Sequence, residues 1–203
     1  MLRASLKSGL HLVCQVVVAP LGILCWLEKH APGSESEGVF GFCAQLLAVF
    51  PGLPGAFLRR AFYSLTLDHC SAHCHIGFGT LFSHRNVNVG DFAYIGNYAL
   101  IGSADIGAHA LIGSRVSILS GASLHERDEN GGWTSYAPER RETVHVGAHV
   151  WIGEAAVISA DVGAGSMVGA GAVVTSAVRE AVVVTGNPAR FVRRLDVDAT
   201  SAE

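Results

Sequence analysis

Histidines with acidic or cysteine neighbours occur at two points in this sequence, and both could do chemistry. His125 begins a polar stretch and is followed closely by Glu126, Asp128 and Glu129. An imidazole can move protons near neutral pH, so this stretch could perform general acid–base catalysis. The chain has ten histidines, and a structural position in a polar loop is the alternative.

The second point is the cluster His69-Cys70-Ser-Ala-His73-Cys74-His75, whose residue types also bind metals. Its candidate ligands are compressed into one short segment, and no second pair follows downstream as in usual zinc sites. Alternate residues of a strand point in opposite directions, so these side chains cannot all converge. We therefore predict no metal site.

A repeat of six residues indicates which elements must position His125. Aliphatic-Gly pairs begin at Ile76, Val89, Ile95, Ile101, Ile106, Ile112, Val146, Ile152, Val162 and Val168. Six is not a helical period, but it suits short strands with inward aliphatic side chains and glycine at tight corners. One such repeat cannot bury its own apolar face, so the pattern predicts a stacked all-β solenoid.

The repeat has one long interruption, at residues 123–143. This segment is polar and aperiodic, which predicts an external loop that leaves the solenoid. Long loops in compact domains often carry function. His125 lies at the start of the loop, directly after the strand 116–120.

The first part of the chain has a different pattern, with apolar stretches at residues 11–27 and 39–67. Pro20 and Pro51 are among the residues that interrupt them, so we predict that neither spans a membrane. We expect helices that pack on the main domain or on a neighbouring subunit, with attachment to a membrane interface as the alternative. The predicted organisation is a helical region at 1–68, a solenoid at 69–185 and an exit segment at 186–203.

Composition limits the partners and the compartment. The 14 basic and 17 acidic residues give a net charge of −3, which predicts no nucleic-acid partner. The odd number of cysteines, five, in apolar surroundings favours reduced, buried thiols. The N-terminus has the outline of a signal peptide without a small-residue cleavage site, so we predict that it is retained. We expect a cytoplasmic protein, at the inner face of the membrane if the N-terminal region attaches there.

The stretch from Ile76 to Arg194 resembles the hexapeptide-repeat acyltransferases. The similarity is to the branch with galactoside, maltose and xenobiotic acetyltransferases and the sugar acetyltransferases of polysaccharide biosynthesis. The motifs that carry it are His125 after its strand, Val146-Gly-Ala-His-Val-Trp-Ile-Gly153, Val168-Gly-Ala-Gly-Ala-Val-Val-Thr175 and Thr185-Gly-Asn-Pro-Ala-Arg190. The resemblance implies a left-handed parallel β-helix and a homotrimer with active sites between adjacent solenoids.

The resemblance also implies an activity: transfer of an acyl group, expected to be acetyl, from coenzyme A to a sugar or other saccharide hydroxyl. His125 matches the catalytic histidine of the family and would act as the general base in a direct transfer. A backbone carbonyl and a carboxylate are both open as the group that orients its ring.

By family position, several residues would bind acetyl-CoA. Backbone groups of Gly153, Ala170 and Thr175 would pair with the pantetheine arm, and Trp151 would pack beside it. Arg190 and Arg193 would meet the nucleotide phosphates, where a guanidinium can bind in a bidentate manner. Ser176 stands where many relatives carry Lys, so one phosphate contact could be missing. Separate candidates for the acceptor side of the cleft are His84, Asn86 and Tyr94.

Two rival functions use the same fold. A γ-class carbonic anhydrase would need a zinc-binding histidine triad, which His145 and His149 do not reproduce, and it would leave the Gly186-Asn-Pro-Ala-Arg190 exit unused. A non-catalytic β-helical scaffold is the other rival, because a fold does not by itself imply an activity. Binding of coenzyme A would distinguish the scaffold from an enzyme.

Overall fold

The computed structural model describes residues 2–31, 36–121, 125–135 and 140–195, with side chains from residue 9 onward. Parts of the predicted segments lie outside the described residues. These are positions 1 and 32–35 of the N-terminal region, 122 of the solenoid, 123–124 and 136–139 of the loop, and 196–203 of the exit segment.

The N-terminal region consists of helices α1 (Leu2–His30), α2 (Gly38–Ala48) and α3 (Gly52–Thr66). α1 continues through Pro20, where the sequence indicated an interruption. By length and composition, Gly9–His30 would suffice to cross a membrane, a test that core helices and signal sequences also pass. α3 begins after Pro51, whose fixed φ suits the residue before a helix.

Arg59 joins the helices to the solenoid. Its side chain is only 1% exposed, and its guanidinium donates to the carbonyls of Phe50 at 2.8 Å and Ile76 at 3.2 Å. It also donates to the carbonyl of Leu47 at 3.3 Å, near the end of α2, where carbonyls lack helical partners. The buried residues of helices and solenoid form one continuous core.

The rest of the chain is a left-handed parallel β-helix of about six turns, as predicted. Sheet A contains β1 (His69–Cys70), β4 (Val87–Val89), β7 (Ala104–Ile106) and β10 (Val144–Val146). Sheet C contains β3 (Leu81–Phe82), β6 (Leu100–Ile101), β9 (Ser117–Ile118), β12 (Val157–Ile158) and β14 (Val173–Val174). Sheet B contains β2 (His75–Ile76), β5 (Tyr94–Ile95), β8 (Leu111–Ile112), β11 (Trp151–Ile152), β13 (Met167–Val168), β15 (Val182–Thr185) and β16 (Arg190–Arg194).

Stacked aliphatic side chains explain the repeat. In sheet B, Ile76, Ile95, Ile112 and Ile152 are paired on successive turns, and each is fully buried. The glycines allow the turns to approach. A Cβ added to Gly107 would lie 2.5 Å from the backbone nitrogen of Ala148 on the next turn, closer than real Cβ atoms come.

The interruption of the repeat is an external loop between β9 and β10, as predicted. Although it is aperiodic in sequence, it contains a short hairpin closed by an antiparallel bridge between Arg127 and Trp133. Asp128 Oδ1 stabilises the turn by accepting from the backbone nitrogens of Asn130 at 2.9 Å and Gly132 at 2.7 Å. The Arg127 guanidinium lies 5.5 Å from the centre of the Trp133 ring, a cation–π distance.

The exit segment turns back on the solenoid. After the turn that contains Pro188, β16 pairs antiparallel with β15 at the edge of sheet B. The hexapeptide pattern did not predict this strand, because β16 lies outside the repeat.

Candidate active site

A cleft of about 790 Å³ lies between sheet C and the loop. Outward side chains of the late turns form its floor, and the loop hairpin forms a wall. The lining residues are Leu119, Gly121, His125, Trp133, Thr134, Val157, Ser159, Val173 and Thr175. The volume and the mostly apolar lining are typical of a small-molecule site.

His125 is oriented by the loop itself. Its Nδ1 lies 3.0 Å from the backbone carbonyl oxygen of Thr134. A carbonyl oxygen only accepts, so Nδ1 carries the hydrogen in this pair and, in the neutral ring, Nε2 carries the lone pair. The orienting group that the sequence left open is therefore a backbone carbonyl.

The loop holds Thr134 in place by reciprocal hydrogen bonds with Glu126. The Thr134 nitrogen donates to the Glu126 carbonyl at 2.8 Å, and the Glu126 nitrogen donates to Thr134 Oγ1 at 2.9 Å. Arg140 forms an ion pair with the Glu126 carboxylate, and its hydrogen bond lowers the pKa of that carboxyl. These contacts fix the ring of His125 within the loop.

The predicted coenzyme A residues divide between the cleft and its margin. Thr175 lines the cleft with His125. Gly153 and Ala170 are stacked on successive turns, since a Cβ on Gly153 would meet the Ala170 backbone nitrogen at 2.5 Å. Gly153 begins the corner that leads from β11 to the cleft residue Val157. Trp151 lies on sheet B, half exposed and facing away from the core.

The exit turn adjoins one end of the cleft. Val173, a cleft residue, donates to the Gly186 carbonyl at 3.0 Å and accepts from the Ala189 nitrogen at 2.8 Å. Arg190 and Arg193 follow on β16, where both are exposed. Arg190 therefore follows directly after the turn that is bonded to Val173, and Arg193 lies three residues further along β16.

The three candidates for the acceptor side lie outside the cleft. His84 Nδ1 is 2.7 Å from the Glu37 carboxylate, close to the helices. Asn86 exchanges hydrogen bonds with Ser103 on the next turn, at 2.9 and 3.1 Å. Tyr94 belongs to sheet B, where its ring stacks on that of His75 at 4.8 Å.

No protein-family model matches the chain. The chain is 32% identical over 127 residues to a candidate lipopolysaccharide biosynthesis O-acetyl transferase, WbbJ, of Escherichia coli K12, covering 58% of this chain and 62% of WbbJ. It is 33% identical over 81 residues to a candidate acetyltransferase of Staphylococcus aureus strain COL, covering 39% of this chain and 37% of that protein.

Solved structures match a longer part of the chain than the curated relatives do. A hexapeptide-repeat-containing acetyltransferase from Vibrio cholerae has a TM-score of 0.60 at 22% identity, covering 81% of this chain and 95% of that one. A galactoside acetyltransferase solved with coenzyme A has a TM-score of 0.64 at 20% identity, covering 82% and 84%. The fold is that of the hexapeptide-repeat acetyltransferases.

These findings confirm the resemblance predicted from the sequence. In this chain the solenoid is preceded by a helical region. The chain spans less than two thirds of the length of the curated relatives that it matches, 62% of one and 37% of the other of the two described.

Several residues that line the cleft were not predicted from the sequence. Val157, Ser159 and Val173 occupy outward positions of the repeats, and their phase could have identified them as neighbours of Thr175. Trp133 is a large aromatic residue in a polar loop, which is a signal for a binding role. Thr134 acts through its backbone carbonyl, so no side-chain pattern could have indicated it.

The histidine–cysteine cluster diverges as the alternation of strand side chains predicts. Cys70 and Cys74 are buried with their sulfurs 3.6 Å apart, while His73 stacks on Phe92 and His75 stacks on Tyr94. Among the described residues, no group of three or more His, Cys, Asp or Glu side chains could hold a metal ion.

Proposed function

We propose that this protein is an acetyl-CoA-dependent O-acetyltransferase that acts on a saccharide hydroxyl. The observation that carries the proposal is the hydrogen bond from His125 Nδ1 to the Thr134 carbonyl inside a cleft of the acetyltransferase fold. It leaves Nε2 as the proton acceptor of a neutral imidazole, which is what a general base requires.

In the proposed reaction, Nε2 of His125 takes the proton of the acceptor hydroxyl as its oxygen attacks the thioester carbonyl of acetyl-CoA. The carbon–oxygen bond forms and the carbon–sulfur bond breaks. The imidazolium then returns the proton to the leaving thiolate, so the products are an O-acetyl ester and free coenzyme A. The transfer is direct and requires no covalent intermediate on the protein.

The proposed coenzyme A path runs along the floor of the cleft. Val157 and Val173 supply an apolar surface for the pantetheine arm, and the corner at Gly153 and Ala170 offers backbone groups beside it. Arg190 and Arg193, beyond the end of the cleft, would pair with phosphate oxygens. Structures of relatives with coenzyme A and acetyl-CoA bound support this choice of donor.

A saccharide is the proposed acceptor. The curated relative WbbJ is described as a candidate O-acetyl transfer enzyme of lipopolysaccharide biosynthesis. The ring of Trp133 lines the cleft and is 70% exposed, so it offers a broad apolar surface for the face of a sugar ring. These features support a role in polysaccharide biosynthesis.

We also propose a homotrimer. The outward face of sheet B carries Tyr94, Leu111 and Trp151, which are 44–51% exposed, whereas sheet A presents the polar side chains of Asp105 and His145. Neighbouring subunits that cover sheet B would bury this apolar surface.

The test compares the wild-type protein with His125→Ala and with His145→Ala. His145 is a matched control, because it is an exposed histidine on sheet A, paired with Asp105 at 3.1 Å. Acetyl-CoA binding is measured by calorimetry, and thiol release is measured with a panel of saccharides. We expect His125→Ala to bind acetyl-CoA but to lose about 10²–10⁴-fold in kcat, the usual contribution of a general base, and His145→Ala to resemble wild type.

Two outcomes would contradict the proposal. If the wild-type protein does not bind acetyl-CoA, the donor is wrong and the scaffold interpretation gains support. If His125→Ala keeps full kcat, another group is the base.

A further inference from the structure

Helix α1 differs from a helix on the surface of a water-soluble domain because it is apolar on both sides. The side that faces the protein carries polar residues next to the buried Val18. His11 is 8% exposed, and Gln15 donates to Ser64 Oγ of α3 at 3.0 Å. Glu28, whose side chain is also 8% exposed, forms an ion pair with Arg85 of the first turn.

The side of α1 that faces outward is apolar from Leu10 to Leu27. No Asp, Glu, Lys or Arg occurs between Gly9 and Leu27. The outward side chains are 41–68% exposed and comprise Leu10, Leu12, Val13, Val16, Val17, Ile23, Leu24 and Leu27. A core helix of similar composition would be buried, so composition alone does not explain this exposure.

Helix α2, which packs against α1, and the segment after it also expose large apolar side chains. Phe42, Val49 and Leu53 are 64–71% exposed, and Leu46 and Phe50 are partly exposed beside them. We call the outward residues of α1 together with these five the helical apolar face. Monomeric proteins rarely expose so many large apolar side chains on neighbouring helices, because each of them costs free energy in water.

At the C-terminal end of α1, the outward side chains change from apolar to amphipathic. Trp26 is 58% exposed and stacks on His30 at 4.4 Å. The side chain of Lys29 is 54% exposed, near Asp68 at 3.6 Å. Tryptophan and cationic residues next to an apolar surface are typical of the headgroup region of a bilayer.

We propose that the helical apolar face docks this protein on the surface of a lipid bilayer. The apolar side chains of α1 and α2 enter the boundary of the acyl chains, and Trp26, Lys29 and His30 lie among the headgroups. We favour a bilayer over a second copy of the chain because tryptophan and lysine side chains lie at the end of the apolar side chains, the residue types that occur at the headgroups of a bilayer.

The helix lies on the bilayer and does not cross it. Gln15 is bonded to α3, Leu65 of α3 packs against Gly22, and Glu28 is bonded to Arg85, so the whole inward side is attached to the protein. A spanning orientation would strand these polar groups in hydrocarbon or draw α3 and the solenoid in with them. This proposal does not depend on the acetyltransferase activity.

The test is flotation of the full chain with two kinds of vesicle. One kind contains phosphatidylethanolamine and phosphatidylglycerol, and the other contains phosphatidylcholine alone. A triple variant, Leu12→Asn with Val16→Asn and Leu24→Asn, changes only exposed side chains of α1. Phe92→Asn is the matched control, because Phe92 is 56% exposed on a corner of the solenoid and its φ of 58° suits asparagine.

We expect the wild-type protein and Phe92→Asn to float with both kinds of vesicle. The triple variant should bind at least about a hundredfold more weakly, since each lost apolar side chain accounts for roughly a tenfold change. Circular dichroism and thermal unfolding establish that the variant is folded.

Three outcomes would overturn the proposal. In the first, the wild-type protein would float with neither kind of vesicle. In the second, the folded triple variant would float as well as wild type. In the third, wild type would stay off the vesicles and self-associate through this face, with the triple variant monomeric or less associated, and a second copy would be the occupant.

Discussion

The solenoid and helix α1 differ in where their apolar residues lie. In the solenoid, Ile95 and Ile112 point inward and are fully buried, while the outward positions vary from sheet to sheet. In α1, apolar residues occupy both sides: Val18 is buried against the protein, and Val16 and Val17 face outward and are 68% and 61% exposed. The difference teaches that apolar content alone does not determine burial. Each turn of the solenoid has neighbours on both sides, whereas α1 has the protein on one side only.

The largest effect expected from this comparison is on stability. Ile112→Ala removes a fully buried side chain between Ile95 and Ile152, so it should lower the free energy of unfolding by about 2–5 kcal/mol. Val17→Ala removes an exposed one and should change it by less than about 0.5 kcal/mol. Urea unfolding of each variant measures both. A comparable loss for Val17→Ala in the absence of lipid would show that another part of the protein covers α1.

Glycine-to-alanine substitutions should have opposite effects on stability in the solenoid and in the helices, and these effects should be of intermediate size. Gly107→Ala forces adjacent turns apart, because its Cβ would lie 2.5 Å from the Ala148 backbone nitrogen, and should cost about 1–3 kcal/mol. A Cβ added to Gly41 of α2 would meet nothing within 4 Å, so Gly41→Ala should stabilise the protein by about 0.5–1 kcal/mol. Thermal unfolding measures both changes. Equal effects of the same sign would refute the rule that stacking, and not local propensity, requires the solenoid glycines.

Acid should weaken the attachment of the helices to the solenoid, and this should be the smallest of the three changes in stability. Burial alone would raise the pKa of Glu37, but hydrogen bonds from His84 and the Arg85 nitrogen and the charge of Arg141 hold it below its usual value. The pKa of Glu28 is likewise lowered, by bonds from Val39, Phe40 and Arg85 against the effect of burial. Carboxyls with a lowered pKa in the folded state stabilise it above their ordinary pKa of about 4.3, and this stability is lost as the pH falls through the lowered value.

The stability of wild type should therefore decrease below about pH 4.3, and Glu37→Gln should reduce this dependence. Glu154→Gln is the control, because Glu154 pairs with Arg115 at 2.5 Å on the exposed surface, where an ion pair contributes little. Urea unfolding over a series of pH values provides the comparison. An unchanged acid dependence in Glu37→Gln would assign the effect to other carboxyls.

Much of the solenoid could be predicted because its pattern is local. The spacing of Ile-Gly pairs determines which side chains face inward, and the break at 123–143 marks the loop that carries His125. The resemblance predicted Thr175 as a site residue, and the structure places it in the same cleft as His125. Trp151, by contrast, lies on sheet B, because neighbouring positions in the sequence follow the solenoid around its corners onto different faces.

The sequence by itself determined the repeat, the register of the inward aliphatic residues and the place where the loop leaves the solenoid. These features depend on residue spacing, which a linear pattern records. Only the tertiary structure decided that the Thr134 carbonyl orients His125, that β16 folds back next to the cleft, and that α1 exposes apolar side chains on its outward side. Each of these depends on which distant groups satisfy hydrogen bonds and cover surface, and that information is absent from the spacing of residues along the chain.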